Sequence, residues 1–313
     1  MTCAPHDRDP AAPNADSAGG APLRQRARAK LNLGLKVLGR RPDGFHDIAG
    51  IFQTLDLADV LEFRPAARDR LTCTDPTLST GDDNLVCRAV VAFRAAVPSL
   101  RPVHVRLDKR IPRGAGLGGG SADAAATLVG LNRLSGRPLA PASLAELGLA
   151  LGSDVPFALM GGTARVGGRG EHLEPLAWDG PRPQYVLACP GEQVSTAWAY
   201  GQLDLDALTG PSPYRSFLNS LRGGRVDGSG LLQVLENDFQ PLVEGAKPIV
   251  AELSSQLRRL GAHVCSMTGT GSTVYGVFDD RIAAQSACEQ VRAGGCRSFL
   301  CVPADYECPA WRP

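Results

Sequence analysis

Between residues 109 and 128 the chain reads KRIPRGAGLGGGSADAAATL, and five of the seven positions from Gly114 to Gly120 are glycine. Backbone amides approach an anion closely only where no Cβ intervenes, so this run could cradle a phosphate chain. A helix opening at Ser121 would add unpaired N–H donors and a partial positive charge. The plainer reading is a flexible linker, yet linkers do not lie between a strand and a helix. The run is not a P-loop, because no Gly-Lys-Ser/Thr ends it. It is not a dinucleotide fingerprint either, since no acidic residue closes a second strand about 20 residues on.

Four further stretches could act on, or wall in, what such a loop holds. In AKLNLGL, strand alternation sends Lys30 and Asn32 to one face, about 7 Å apart. An ammonium beside an amide could orient an alcohol or a phosphate; a solvated strand face is the alternative. In GSDVPF, Asp154 or Ser153 caps a helix with Pro156 in its first turn, or Asp154 is a base for an attacking hydroxyl. His46 follows the Pro42-Asp43-Gly44 turn beside Phe45. It could read a base edge next to a stacking ring, or be structural. The second small-residue stretch, SMTGTGSTVYG, is either a tight turn or a second backbone wall against the same ligand.

Elements must position these residues. RARAKLNLGLKVL, residues 26–38, has polar or small residues at even positions and apolar ones at odd positions, which predicts a strand with one wet and one dry face. After the PDG turn, IFQTLDLADVLEF resumes the alternation, so the chain opens as a β-meander. DDNLVCRAVVAFRAA predicts a helix capped by Asp82 or Asp83. VHVRLDKRI predicts the strand before the glycine loop. From Ser121 a helix places Ala124, Leu128 and Leu131 on one side. PASLAELGLALG predicts a helix ending at Gly152. The proline-rich WDGPRPQ marks a domain boundary near residue 180. Beyond it come strands at YVLACP, STVYGVF and SFLCV, with helices expected around 231–239, 247–260 and over RIAAQSACEQVRA, an α+β pattern.

With 313 residues, 43% of them hydrophobic, the chain can bury the cores of two domains. A net charge of +1 argues against nucleic acid or a lipid surface as partner. No run of about 18 apolar residues predicts a membrane span. Residues 1–23 read as a disordered extension rather than a signal peptide. Nine scattered cysteines without C-x-x-C argue for free thiols in a reducing cytoplasm, not for a disulfide framework or zinc site.

In the order AKLNLGLKVLGRRPDGFHDI, PRGAGLGGGSADAAATLVGLNRL, LGSDVPFALMGGTARVGGRGEHLEPL and MTGTGSTVYGVF, the chain resembles the GHMP kinase superfamily. Within it, the likeness is to kinases of the non-mevalonate isoprenoid route that act on a cytidyl diphosphate of methylerythritol; CPGEQVSTAWAY and ENDFQP also fit that pattern. The resemblance covers about residues 25–300. It implies a two-domain α+β fold: a ribosomal-protein-S5-like half over 25–180 and a ferredoxin-like half over 181–313, after an extension over 1–24. It implies ATP as phosphoryl donor with Mg²⁺, whose ligands no motif identifies. The implied catalytic pair is Lys30 and Asp154: the carboxylate would take the proton of the substrate's 2-hydroxyl, and the ammonium would stabilise charge on the attacking oxygen and γ-phosphate. The implied ATP loop is Pro112, Arg113, Gly114, Ala115, Gly116, Leu117, Gly118, Gly119, Gly120, Ser121 and Ala122. Asn32, Phe45, His46, Thr196 and Tyr200 would bind the cytidine diphosphate end. Position 45 is commonly tyrosine in the family, and phenylalanine keeps the stacking plane; Ala122 replaces a frequent serine, leaving hydroxyl contacts to Ser121. The expected partner is thus a small molecule, with neither nucleic acid nor membrane, and the enzyme a cytoplasmic monomer or weak homodimer. The alternatives are a kinase for homoserine or mevalonate, which gives no reason for a stacking pair, and a nucleotide-binding module without catalysis, against which Lys30 and Asp154 argue.

Overall fold

A computed structural model describes residues 21–305; the expected N-terminal extension up to residue 20 and the tail 306–313 lie outside the described residues. Two long strands form the spine. β1 (Leu23–Arg40) and β2 (His46–Pro65) pair antiparallel through the 41–45 turn, where Gly44 takes φ +87°. β1 begins at Leu23, a few residues ahead of the expected alternation. β3 (Arg70–Cys73) runs parallel to β4 (Val103–Asp108), and β4 pairs with the far end of β2. β5 (Thr163–Gly167) pairs with the near end of β2 and β6 (His172–Pro175) with β5.

Four helices complete this half: α1 (Leu85–Ala96), α2 (Gly119–Leu134), α3 (Pro141–Leu151) and α4 (Val155–Met160). Their apolar stripes bury Phe93, Leu128, Leu131 and Val155 against Phe63, Val105 and Leu107 of the sheet. The small residues of α2 allow a close approach. A Cβ on Gly130 would lie 2.5 Å from the Phe63 ring. The cap of α1 is Asn84, whose Oδ1 accepts the Val86 N–H at 2.8 Å. The expected Asp83 cap is lost because that carboxylate accepts the Ser79 hydroxyl instead. Asp82 stands one residue further from the helix.

The second half holds β7 (Ala177–Asp179), β8 (Gln184–Cys189), α5 (Thr196–Gln202), α6 (Pro213–Ser220), β9 (Arg225–Asp227), α7 (Gly228–Gln233), α8 (Gln240–Ala246), α9 (Pro248–Arg259), β10 (Val264–Met267), β11 (Val274–Phe278), α10 (Arg281–Ala293) and β12 (Arg297–Cys301). β8 lies inside an antiparallel sheet of order β10-β11-β8-β12. The helix expected over 231–239 is broken. α7 ends at Gln233, and the polar run 236–238 docks on β1 instead. The Leu35 N–H donates to Glu236 O at 2.7 Å and the Asp238 N–H to Leu35 O at 3.0 Å. The buried Lys36 ammonium pairs with both Glu236 and Asp238. Asn237 reaches further, donating its amide to Met267 O at 2.7 Å and Gly269 O at 2.9 Å while accepting the Phe239 N–H. Asn237→Ala leaves those buried carbonyls without their donor. It should cost about 3 kcal/mol in urea unfolding, and a loss under about 1 kcal/mol would mean that water replaces the amide.

β1 does more than its alternation suggests. Its register with β2 shifts between Arg28 and Lys30, between Asn32 and Leu35, and between Val37 and Gly39. Bulges re-aim the side chains that follow them. One odd-numbered apolar series therefore feeds three cores: Ala27 lies under α2, Ala29, Leu31 and Leu33 between the sheets, and Leu35 and Val37 with α8 and α9. The expected wet face holds at Arg26 and, in part, at Arg28, but not from Lys30 to Lys36. Lys30, Asn32 and Lys36 are 8%, 1% and 3% exposed: the glycine loop, Phe52 and Asp154 close over Lys30, and the second half of the chain covers Asn32 and Lys36. Among the described residues no helix is long and apolar enough to cross a membrane, and the seven described cysteines are free thiols.

Candidate active site

Burying an ammonium is costly unless it is paired, so the partners of Lys30 define the site. Its Nζ donates to Asn32 Oδ1 at 2.7 Å and lies 3.5 Å from Asp154 Oδ2 and 5.0 Å from the Phe52 ring centroid. Asn32 is itself gripped. Its backbone N–H donates to Thr268 Oγ1, that hydroxyl lies 3.1 Å from Asn32 Oδ1, and the Asn32 carbonyl accepts from the Tyr275 hydroxyl at 3.0 Å. Asp154 occupies the N-cap position of α4 but makes no capping bond there. That leaves its carboxylate facing Lys30, and the capping role expected for Ser153 or Asp154 is not taken.

The glycine loop closes the same space from the other side. Lys30 N–H donates to Leu117 O at 3.0 Å, stitching β1 to the loop. Gly114, Gly116 and Gly118 all have positive φ. Gly116 has no room for a side chain, since a Cβ would lie 2.1 Å from Thr268 O. The 266–276 stretch is thus a backing wall, with Thr273 N–H reaching Ala115 O at 3.4 Å. Gly118 is the left-handed N-cap of α2 and offers no capping side chain. The N–H groups of Gly119, Gly120 and Ser121 then open a helix that supplies them no internal acceptor. Ala122 departs from the expected loop: its methyl is buried in the α2 core and its N–H donates to Gly118 O, so it has nothing to offer an anion. Leu117 likewise packs its side chain in the core between the sheets and contributes only backbone. At the loop's start, Arg113 donates to Thr77 Oγ1 at 2.8 Å.

Beneath α2 lies a charge cluster that the sequence does not announce. Lys109 Nζ donates to Asp123 Oδ2 at 2.9 Å and also to Asp59, whose other oxygen accepts the Ile111 N–H at 2.8 Å. Asp59 thereby fixes the entrance of the glycine loop. Burial pushes the Asp123 carboxyl up to about 8 against the pull of Lys109, and its Oδ1 has no partner.

Across the cleft, His46 stacks on Tyr200 at 4.7 Å and 29°, and Tyr200 meets Phe239 edge-on. Burial lowers the basicity of His46, with help from the nearby Arg40 charge, which favours a neutral ring that can both donate and accept. Burial and then the Asp154 charge push the Tyr200 phenol up to about 12. Phe45 stays 48% exposed with the Arg169 guanidinium 4.7 Å over its ring. Thr196 lies 3.4 Å from Thr270, hydroxyl to hydroxyl. One open cleft of about 1440 Å³ gathers Lys30, Asn32, Asp154, the loop from Pro112 to Ser121, Phe45, His46, Thr196 and Tyr200. Arg169, Lys109 and Asp123 line it too and were not anticipated. Only Arg169 carried a signal in the sequence, an arginine between Gly168 and Gly170.

A glycine loop opening a helix over a buried lysine paired with a half-buried carboxylate, between two α+β halves, defines a GHMP kinase. The models for the GHMP kinases N terminal domain and the GHMP kinases C terminal match residues 84–162 and 226–295. More particularly, the chain belongs to the family of 4-diphosphocytidyl-2-C-methyl-D-erythritol kinases. It is 44% identical to the one from Solibacter usitatus (strain Ellin6076) over 268 residues, 84% of each chain. A solved 4-(cytidine 5'-diphospho)-2C-methyl-D-erythritol kinase superposes with a TM-score of 0.75 at 33% identity, covering 90% of this chain and all of that one. Homoserine kinase from Cytophaga hutchinsonii shares the fold, with a TM-score of 0.70 at 18% identity over 93% of this chain and 97% of its own.

Proposed function

We propose that the chain transfers the γ-phosphoryl group of ATP to the 2-hydroxyl of 4-diphosphocytidyl-2-C-methyl-D-erythritol, giving the 2-phosphate and ADP in the non-mevalonate route to isoprenoid precursors. One observation carries it: Lys30 Nζ lies 3.5 Å from Asp154 Oδ2 in the same cleft as the mouth of α2. Phosphoryl transfer asks for positioning and charge neutralisation more than covalent help. The N–H groups from Gly114 to Ser121 hold the triphosphate. Asp154 accepts the proton of the tertiary alcohol as its oxygen bonds to the γ-phosphorus and the bond to the β-phosphate oxygen breaks. Lys30, steadied by Asn32, neutralises charge on the attacking and transferring oxygens.

The scarcity of protein oxygens at the helix mouth fits a magnesium ion carried in by the nucleotide rather than one caged by protein. Among the described residues no three carboxylate, histidine or cysteine groups converge, while Ser121 lines the cleft beside the loop and the partnerless Asp123 Oδ1 lies buried behind it. Few protein ligands plus phosphate oxygens is the usual setting for this cation, which offsets the triphosphate charge when bound. Asp154 and Lys30 perform their roles whatever holds the ion.

Phe45, His46, Tyr200 and Arg169 form the end of the cleft suited to a cytidine diphosphate: an exposed ring, a neutral imidazole and a cation. Phe45→Ala should raise the KM for the cytidyl substrate about tenfold with the ATP KM unchanged, since base stacking contributes about 1–3 kcal/mol; equal rises in both would place the ring elsewhere. The enzyme acts on a small molecule in the cytoplasm, as a monomer or weak homodimer. The deciding experiment is a coupled ADP-release assay over a panel of alcohols. Turnover is expected with the cytidyl diphosphate of methylerythritol, and turnover with homoserine or mevalonate instead would overturn the assignment.

A further inference from the structure

We infer that Tyr214 and Tyr275, both from the second half of the chain, are positioning residues for the transfer: their hydroxyls hold β1 at the Asn32–Leu33 bulge, and the Asn32 side chain held there positions Lys30 against Asp154. The inference rests on the role given to Lys30 above. Between Asn32 and Leu35 the β1–β2 register slips, so the ladder stops supplying partners to the backbone just past the lysine. Two fully buried phenols take over. Tyr275 OH donates to Asn32 O at 3.0 Å, and Tyr214 OH donates to Leu33 O at 2.7 Å while accepting the Ile51 N–H of β2 at 2.9 Å. The Tyr214 hydroxyl thus replaces a missing rung, bridging the two strands that the bulge parts.

The neighbouring residues are shaped around this wedge. Gly34 takes φ +89°, and a Cβ there would lie 2.1 Å from Tyr214 Cζ. A left-handed residue in a bulge is a built feature rather than slack. Tyr214 stands in the first turn of α6, which Ser212 caps by accepting the Arg215 N–H at 3.1 Å. Ser212 also donates to Glu236, which pairs with Lys36 of β1. The phenol is therefore anchored at its root as well as its tip. Burial pushes both phenols up, so they stay protonated and able to donate. Tyr275 fixes the Asn32 carbonyl and Tyr214 the Leu33 carbonyl next to it, and the side-chain Oδ1 of the Asn32 so held accepts from Lys30 Nζ. A shift of the strand there moves the ammonium relative to Asp154, and misplacement of about 1 Å can cost about 100-fold in rate.

A double-mutant cycle separates positioning from plain stability. Tyr214→Phe and Tyr275→Phe keep the rings and remove one hydroxyl each. Each should lower kcat, about tenfold for Tyr214→Phe and less for Tyr275→Phe, with the ATP KM within about twofold. In a Lys30→Met background, assayed at high enzyme concentration, the same changes should move the residual kcat less than about twofold, because the group they aim is gone. If one tyrosine variant fails to fold, the other completes the cycle. Unchanged kcat, equal factors in both backgrounds, or an ATP KM rising by the same factor overturns the inference. Near-normal turnover of Lys30→Met alone overturns it together with the Lys30 assignment.

Discussion

Asp154→Asn is expected to lower kcat at least about 100-fold while ATP affinity stays within about twofold. The amide preserves the shape of the side chain and cannot take a proton. Because Asp154 makes no capping bond to α4, the exchange removes no helix contact, and the loss reports chemistry rather than folding. The contact with Lys30 weakens as well, from charge pair to hydrogen bond at best. In the proposed assignment ATP meets the glycine loop and not this carboxylate, so its affinity should be spared. Titration with a fluorescent ATP analogue beside a single-turnover measurement checks both halves. Near-normal turnover would remove Asp154 from the proton transfer, and lost nucleotide binding would move it to the phosphate site.

Gly118→Val carries the second large effect, about 1000-fold in kcat/KM for ATP, comparable to losing an oxyanion donor outright. Three penalties coincide. The residue has φ +68°, where a branched side chain is strained. It precedes the donors that open α2, so a reoriented peptide turns them from the phosphates. A Cβ there would also lie 3.0 Å from Lys30 Cγ. The last contact separates this variant from a purely nucleotide-binding defect: kcat should fall along with a higher ATP KM. A change in KM alone would mean that the lysine moves aside freely.

Much of this site was legible because its parts are local. The glycine run, the strand before it and the helix after it lie within about 30 residues, and period-2 and period-3.6 patterns need no long-range knowledge. Lys30 and Asp154 could be paired only through the resemblance, since they sit on distant parts of the chain that only the folded structure brings together. What was misread turned on tertiary partners. The face of β1 expected to be wet is dry from Lys30 to Lys36 because the glycine loop closes over Lys30 and the second half covers Asn32 and Lys36. The 231–239 helix breaks because Glu236, Asn237 and Asp238 bond to β1 and to the 267–269 carbonyls better than to their own helix. Asn84 displaced the expected aspartate because Ser79 had already engaged Asp83. Ala122 looked like loop and is core, a distinction no alanine declares from its neighbours. The Lys109 cluster joins positions 50 residues apart and had no local signal.

The three cores fed by β1 imply something about how the molecule comes apart. A strand that contributes Ala27, Leu31 and Leu35 to three separate apolar cores cannot be released from one without disturbing the others. The two halves should therefore melt together, giving one calorimetric peak whose enthalpy matches the van't Hoff value, rather than the stepwise profile common to chains of this length. A nucleotide bound at the mouth of α2 should displace that single peak as a whole, protecting amides in the distant sheet as well as those it touches.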